Sequence, residues 1–309
     1  MLKLTPSRER PRAELGAGVR WLPRALLSAA TALAALAGIQ SCDQPKPDCL
    51  TSTATYAFKL IEQDRSESSL GACAAFGPGG FNQDPEVSVI PYFQRGKDGP
   101  DYKHGSIGVQ TAELGALYDT AHAAGLDNQA TDGAVYSLGD FTRGQPDGLD
   151  LCYVPELSPT HLVLPALPAV ADDPSTADVD ESAPGQPAVD ATLVWSDVKV
   201  YVTAEINGTQ ISADLVDTRT TPTGGTCTIH YLAIGMAPAV PCRAVDADTG
   251  DELTNDDGSY QLDASACDPQ ADPNNGRPTG SGISPSANFE CNPDSAYCTL
   301  QGESVPSRH

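Results

Sequence analysis

A period of two in hydrophobic and polar residues runs through much of the chain and predicts β-strands. In residues 53–62, Tyr56 and Phe58 fall on one face, whereas Thr55 and Lys59 fall on the other. A half-buried strand shows this alternation because successive side chains point to opposite faces of a sheet. Similar short runs predict strands over residues 87–93, 106–110, 135–141, 151–157 and 160–164.

The densest β pattern lies in residues 191–234, where Val and Thr are frequent and a helix is disfavoured. A first strand there is followed by Asn207-Gly208, a pair typical of tight turns. A second strand, a turn over residues 220–225 and a third strand over residues 226–234 complete an antiparallel meander. One face of the first strand carries Val194, Val198, Val200 and Val202.

One helix is predicted, over residues 111–124. Gly125 follows at the position where a left-handed cap would end the helix. Hydrophobic residues recur in this segment at helical spacing, namely Leu114, Leu117, Tyr118 and Ala121. The chain is therefore expected to be mainly β, with one short helix.

The N-terminal segment differs from the rest of the chain in charge. Residues 1–24 hold six Lys and Arg against two Glu, a net charge of +4, although the whole chain has a net charge of -23. Residues 25–39 form an uncharged apolar run. At about 1.5 Å per residue, this run is shorter than the roughly 20 residues that span a bilayer. It therefore predicts the hydrophobic core of a secretory signal peptide.

Ile39-Gln40-Ser41-Cys42 follows the apolar run and resembles the lipobox of bacterial lipoprotein precursors. An aliphatic residue stands three positions before the cysteine and a small residue immediately before it, while Gln40 is a less usual occupant of the middle position. The resemblance covers the chain only up to this cysteine. It implies cleavage before Cys42, a diacylglycerol thioether on its thiol and often an acyl chain on its new amine, which together give stable anchoring.

This resemblance predicts a protein of the bacterial cell envelope, anchored to a membrane through the lipid on Cys42. Asp43 resembles the residue that keeps lipoproteins at the inner membrane of enteric-type bacteria. This sorting code differs among bacterial groups, so the sequence does not choose between the inner and the outer membrane. The alternative is a plain signal peptide cut after Ala-Leu-Ala at residues 35–37, with Cys42 free or in a disulfide. Beyond residue 42 the chain is similar only to cysteine-rich envelope lipoproteins.

The nine cysteines fit an exported lipoprotein as well. With Cys42 lipidated an even set remains, and disulfides persist in exported proteins. The candidates for disulfides are Cys49, Cys73, Cys152, Cys227, Cys242, Cys267, Cys291 and Cys298. Short separation in sequence favours the pairs Cys227–Cys242 and Cys291–Cys298. Zinc is disfavoured because the chain has no C-x-x-C and no cysteine pair followed by a close histidine pair.

The chain is expected to have four parts: a signal peptide over residues 1–41, a lipidated tether over 42–49, a mainly β domain over 50–242 and an irregular tail over 243–309. Residues 171–190 lack aromatic and basic side chains and predict a flexible acidic insertion, because such a segment buries too little apolar surface to offset its ordering entropy. The expected fold is an antiparallel, disulfide-stapled, β-sandwich-like domain with one short helix and an irregular, cysteine-containing C-terminal tail, in one domain or two.

Four acidic residues in the predicted tail suggest a calcium site: Asp246, Asp248, Glu252 and Asp257. Their spacing departs from the EF-hand pattern, since Gly250 occupies the fifth position and the twelfth position is Asp257 where Glu is usual. Solvated acidic turns have the same composition, so we expect no cofactor, and calcium is the alternative.

Composition and motifs disfavour several functions. Residues 42–309 hold 12 Lys and Arg against 39 Asp and Glu, a net charge of -27, which disfavours nucleic-acid binding. No G-x-S-x-G, H-E-x-x-H, P-loop or dinucleotide motif is present. We expect a non-enzymatic interaction or structural module with an envelope protein or a glycan as its partner. The alternatives are a calcium- or glycan-binding β-sandwich and an envelope hydrolase that uses carboxylates.

Overall fold

The computed structural model describes residues 47–76, 85–97, 99–169, 185–246, 248–275 and 277–306. The predicted signal peptide, Cys42 and residues 171–184 of the predicted insertion lie outside these ranges. The last residues of that predicted insertion, from Val189 onwards, belong to a strand. In the described ranges, no helix has the length and apolar character needed to cross a membrane.

Nine strands of the described chain form one antiparallel sheet with the order β4-β3-β2-β1-β9-β8-β7-β5, and β6 follows β5 along the same edge of β7. The strands are β1 (Ala54–Glu67), β2 (Glu86–Arg95), β3 (Pro100–Thr111), β4 (Ser137–Asp140), β5 (Leu151–Glu156), β6 (Thr160–Leu164), β7 (Val189–Val202), β8 (Asn207–Thr220) and β9 (Thr226–Met236). Each strand predicted from the period of two is present, most with slightly different ends.

The sheet curls until its two edges meet. The N–H of Ser158, beyond β5, donates to the carbonyl of Leu138 on β4 at 2.7 Å. The hydroxyls of Ser137 and Thr160 hydrogen-bond at 2.8 Å in a buried position. The result is a nearly closed antiparallel sheet whose inner face forms the main core. The predicted fold class is confirmed, and a single curled sheet supplies both faces expected of a sandwich.

Helix α1 (Ala112–Ala123) connects β3 to the loop before β4. It begins after Thr111, whose hydroxyl accepts a hydrogen bond from the N–H of Leu114 at 3.4 Å. It ends at Gly125, which has a φ of +78° and donates its N–H to the carbonyl of His122 at 2.9 Å. Glycine adopts this conformation at little cost, so the predicted helix and its cap are confirmed.

A bulge in β7 decides which of its side chains face the core. Asp197 has a φ of +49°, and the pairing with β8 shifts at this point. One extra residue moves all following side chains to the opposite face. Trp195 before the bulge and Val198 after it therefore both face the core. Val194 lies on the other face from Trp195, so the prediction that it shares a face with Val198 is wrong.

The segment before β1 crosses the connection between β7 and β8, and this crossing explains Gly208. A Cβ at this glycine would lie 2.3 Å from the carbonyl oxygen of Leu50, and its φ is +69°. The hydroxyl of Tyr56 donates to the carbonyl of Gly208. Because Asn207 is already the first residue of β8, the turn is formed by residues 203–206. The prediction that Asn207-Gly208 forms the turn is wrong.

The tail covers the outer face of β9 and β1. It contains isolated bridges, turns and one hairpin, formed by β10 (Phe289–Asn292) and β11 (Tyr297–Leu300). The Nζ of Lys59 on β1 donates to Oε1 of Glu290 at 3.0 Å and to the carbonyl of Leu300 at 2.9 Å. A second, smaller core consists of Ile234, Met236, Cys242, Cys267, Ile283, Ala287, Cys298 and Leu300.

Four disulfides join the cysteines of the described chain: Cys49–Cys152, Cys73–Cys227, Cys242–Cys291 and Cys267–Cys298. The predicted pairs Cys227–Cys242 and Cys291–Cys298 are wrong. Cys227 lies at the start of β9 and Cys242 beyond its far end, and an 11-residue strand at about 3.3 Å per residue keeps them far apart. Cys291 and Cys298 face each other on β10 and β11, yet Cys291 bonds to Cys242, just before the tail, and Cys298 bonds to Cys267 within it.

Loop length ranks the disulfides by their effect on stability. Cys73–Cys227 joins residues separated by 154 positions and Cys267–Cys298 joins residues separated by 31. By loss of chain entropy in the unfolded state, they contribute about 5 and about 4 kcal/mol respectively. We expect C73A/C227A to lower the free energy of unfolding by about 1 kcal/mol more than C267A/C298A, measured by urea denaturation. A larger loss for C267A/C298A would contradict this ranking.

Candidate functional site

Exposed aromatic residues mark the outer face of strands β2, β3 and β4. Alternate side chains of β2 leave the core, so Val89 is buried while Ile90 and Tyr92 are 41% and 49% exposed. The register places Tyr92 opposite Ser106, and Ser106 opposite Asp140. An aromatic ring, a hydroxyl and a carboxylate thus form a row across the three strands.

These side chains line an open cleft with a volume of about 430 Å³, which we call the aromatic cleft. Its lining residues are Tyr92, Ser106, Tyr136, Leu138, Gly139 and Asp140. Gly108 lies between two of them: a Cβ at this position would lie 2.8 Å from Cε2 of Tyr92 and 3.3 Å from Cδ2 of Leu138. Any larger residue would displace the tyrosine ring, so the shape of the cleft depends on this glycine.

The polar groups of the aromatic cleft are few and ordered. The hydroxyl of Ser106 donates to Oδ1 of Asp140 at 2.6 Å, which orients the carboxylate. A carboxylate accepts several hydrogen bonds, so Asp140 keeps acceptor capacity for hydroxyl or N–H groups of a ligand. Apolar walls with a small number of oriented polar groups are typical of ligand-binding sites. The chemistry that this arrangement supports is recognition of an amphipathic ligand.

Sequence reasoning predicted the strands of this region but missed the cleft. The available signal was the outward phase of residues 87–93, which carries Ile90 and Tyr92 where polar residues are usual. Tyr136 and Asp140 join them only through the lateral register of three strands.

The predicted calcium residues lie in two exposed turns of the tail. Oδ1 of Asp246 accepts the N–H groups of Asp248 and Thr249, both at 2.9 Å, and these hydrogen bonds lower the pKa of Asp246. Both carboxylate oxygens of Glu252 lie 3.0 Å from Nη1 of Arg243. Oδ1 of Asp257 accepts hydrogen bonds from the N–H and the hydroxyl of Ser259. Calcium binding by these residues stays a prediction.

One group of metal-type ligands does converge in the described chain, but it consists of cysteines. The sulfur atoms of Cys242, Cys267 and Cys298 all lie within 4.8 Å of one another. All three belong to disulfides, and a disulfide sulfur is not the thiolate that metals bind. The cluster therefore serves the core of the tail.

A second cleft, of about 310 Å³, lies where the tail meets the connection between β7 and β8. Its lining includes Asp150, Glu205, Ile206 and Ser286. The hydroxyl of Ser286 donates to Oε2 of Glu205 at 3.1 Å, which ties the tail to this connection. Because Glu205 and Ser286 are used in this contact, we assign the second cleft to packing of the tail.

A buried ionic cluster joins helix α1 to β8. The guanidinium of Arg219 donates to both carboxylate oxygens of Glu113, at 2.6 and 2.7 Å, and to those of Asp217, at 3.2 and 3.1 Å. Asp217 has no exposed surface, and burial raises its pKa to about 6 although Arg219 acts in the opposite direction. Burial disfavours the Arg219 cation, but the hydrogen bonds to Glu113 and the charge of Asp217 raise its pKa overall. The cluster fixes the helix on the sheet.

Protonation of Asp217 links stability to pH. Its pKa of about 6 in the folded protein exceeds the ordinary value of 3.8, so the folded state binds this proton more tightly than the unfolded state. The stabilisation is complete below about pH 4 and is lost as the pH rises through about 6. Relative to Asp217→Asn, we expect the free energy of unfolding to fall by up to about 3 kcal/mol between pH 4 and 7. A difference that stays constant in urea denaturation at each pH would contradict this assignment.

Comparison with known proteins identifies one family. The sequence model of the family MlpA matches residues 54–238, from the first residue of β1 to just beyond the end of β9. The matched region is the curled sheet with its helix, and it ends before the tail. No curated protein and no solved structure gives a significant match. Because the family model matches more than half of the chain, the chain belongs to the MlpA family.

Proposed function

We propose that this chain is a lipid-anchored protein of the bacterial cell envelope that acts as a non-enzymatic interaction module. The lipobox-like Ile39-Gln40-Ser41-Cys42 supports the anchor, and membership of the MlpA family is consistent with an envelope-associated protein. One observation carries the proposal: the four disulfides use eight of the nine cysteines, which leaves Cys42 for the lipid. Disulfides on this scale also require an oxidising compartment outside the cytosol.

The tether between the lipid and the sheet is short. Cys49 is fully buried, bonds to Cys152 at the start of β5 and donates its N–H to the carbonyl of Gly144 at 2.8 Å. Seven steps along the chain separate Cys49 from Cys42, and an extended chain covers at most about 3.6 Å per residue. The curled sheet is therefore held within about 25 Å of the lipid.

Metabolic labelling tests the anchor. We expect wild-type protein to incorporate an alkyne-tagged fatty acid and Cys42→Ser to incorporate none, because the thiol is the attachment point. Cys267→Ser also removes one cysteine but leaves the lipobox unchanged, so it should be labelled like the wild type. In-gel fluorescence after coupling to a dye measures the label. Absence of label on the wild type would refute the anchor.

A glycan is the ligand that the aromatic cleft favours. Sugars combine apolar C–H faces with ordered hydroxyl groups. Exposed Tyr92 and Tyr136 offer rings on which such faces stack, and Asp140, held by Ser106, accepts hydrogen bonds from hydroxyl groups. The row of these groups across three strands supports glycan binding as a second candidate function for the same protein.

Substitutions in the cleft test the glycan proposal. On a glycan array, we expect any glycan bound by the wild type to bind Tyr92→Ala and Asp140→Asn at least about tenfold more weakly, a loss of about 1.4 kcal/mol. Tyr260 is 38% exposed on the tail, outside the cleft, so Tyr260→Ala is the matched control and should bind like the wild type. Failure of the wild type to bind any glycan, or an equal loss in all three variants, would contradict glycan binding at this cleft.

A further inference from the structure

The cationic side chains of the described chain divide into two groups. Six of the ten form ion pairs with carboxylates of the protein: Lys59, Arg65, Lys199, Arg219, Arg243 and Arg277. The remaining four are exposed and form no ion pair with the described residues: Arg95, Lys97, Lys103 and Arg143. We call these four residues the basic tip.

All four residues of the basic tip lie at one end of the β2–β3 hairpin. Arg95 ends β2 and Lys97 lies in the turn that follows. Lys103 lies on β3, close to the same turn. Gly144, the neighbour of Arg143, packs directly on this strand: a Cβ on Gly144 would lie 2.7 Å from Cα of Lys103. The loop after β4 thus brings its arginine to the tip of the hairpin.

The tether reaches the sheet at the same place. The N–H of Cys49 donates to the carbonyl of Gly144, the residue that packs on Lys103. One backbone contact therefore separates the chain that leads to Cys42 from the basic tip. A lipid on Cys42 would therefore be held within about 25 Å of this end of the sheet.

Exposed apolar groups accompany the basic tip. Tyr102 is 41% exposed, and its ring packs edge-to-face on Phe93 with centroids 4.8 Å apart. Leu149, in the loop that follows Gly144, is 68% exposed. Tyrosine is favoured at membrane interfaces because its ring is apolar and its hydroxyl is polar.

Two carboxylates close to the basic tip, Asp101 and Asp147, are engaged by their own segments. Oδ1 of Asp101 accepts the N–H of Lys103 at 3.0 Å, and Oδ2 lies 2.9 Å from Nδ1 of His104. Oδ1 of Asp147 accepts the N–H of Leu149 at 2.8 Å. These contacts lower the pKa of Asp101, most strongly through His104. Lys103 acts on Asp101 and Arg143 on Asp147 through charge, but neither forms an ion pair with that carboxylate. The carboxylates thus order the turns, and the four exposed cations remain accessible to an external anion.

We propose that the basic tip and Tyr102 lie on the membrane surface and contact anionic phospholipid headgroups, a proposal that rests on the lipid anchor at Cys42. Charges more than about 8 Å apart are largely screened at physiological ionic strength, so the local cations decide the contact and the net charge of the chain does not. The acidic remainder of the sheet is repelled only where it comes within that distance of the surface. Attraction at the tip therefore orients the protein with this end of the sheet towards the lipid and the far end of β1 away from it.

Quenching by brominated phospholipid tests this orientation. The acylated protein is reconstituted into vesicles of phosphatidylcholine and phosphatidylglycerol, with and without bromine on the acyl chains. Tyr102→Trp places a reporter at the tip. Leu70→Trp is the matched control, because Leu70 is fully exposed beyond the far end of β1. Trp195 is buried in every variant and gives a constant background. We expect bromine to remove about half of the added emission of Tyr102→Trp and little of that of Leu70→Trp.

A charge reversal separates the tip from the anchor. Lys97→Glu in the Tyr102→Trp protein should weaken the quenching, whereas Arg65→Glu, an equal change of charge near the far end of β1, should not. Sedimentation with the vesicles measures the anchor independently. If the protein sediments but Tyr102→Trp is quenched no more than Leu70→Trp, the tip faces another anionic partner and the proposal is overturned. If the acylated protein does not sediment, the proposed anchor fails, and the orientation fails with it.

Discussion

The disulfide between Cys49 and Cys152 fixes the point at which the chain enters the sheet, and the orientation that we propose for the molecule depends on it. Both cysteines are fully buried, and Cys49 also bonds to Gly144 through its N–H. Without this crosslink, the residues before β1 would be held only by hydrogen bonds such as that from the N–H of Ser52 to the carbonyl of Gly208, and a lipid on Cys42 would hold the sheet more loosely. With it, tether, loop and hairpin tip form one connected end.

A single curled sheet accounts for the rest of the architecture. Its inner face is almost entirely apolar, apart from the Arg219 cluster that secures helix α1. The outer face of β9 is also apolar, with Ile234 and Met236, and it requires the cover that the C-terminal tail provides. Cys267–Cys298 closes a loop within the tail, and Cys242–Cys291 joins the tail to the residue just before it. Both are needed because a segment so rich in Asp, Asn, Pro and Gly has little apolar surface of its own. The match to the MlpA family includes the sheet and ends before this cover.

Local sequence patterns predict the structure correctly where it depends on a single strand or helix. The strand at Tyr56 and Phe58 and the helix capped by Thr111 and Gly125 follow from periodicity and capping alone. Prediction failed where the outcome depends on distant parts of the chain. The bulge at Asp197 places Val198 on the opposite face of the sheet from Val194. The disulfide partners of the eight cysteines depend on the order of strands. The cleft and the basic tip could not be predicted for the same reason. The residues of the cleft come together through strand register, and those of the basic tip through the packing of the loop after β4 on β3.

The intact mass of the mature protein, isolated without reductant and then treated with a thiol-alkylating reagent, tests the central claim most directly. We expect the mass of residues 42–309 with a diacylglyceryl group, with or without a further acyl chain, and without the eight hydrogens that four disulfides remove. The reagent should add no alkyl group. A chain that begins at Gly38 without lipid, or a mass that increases on alkylation, would contradict it.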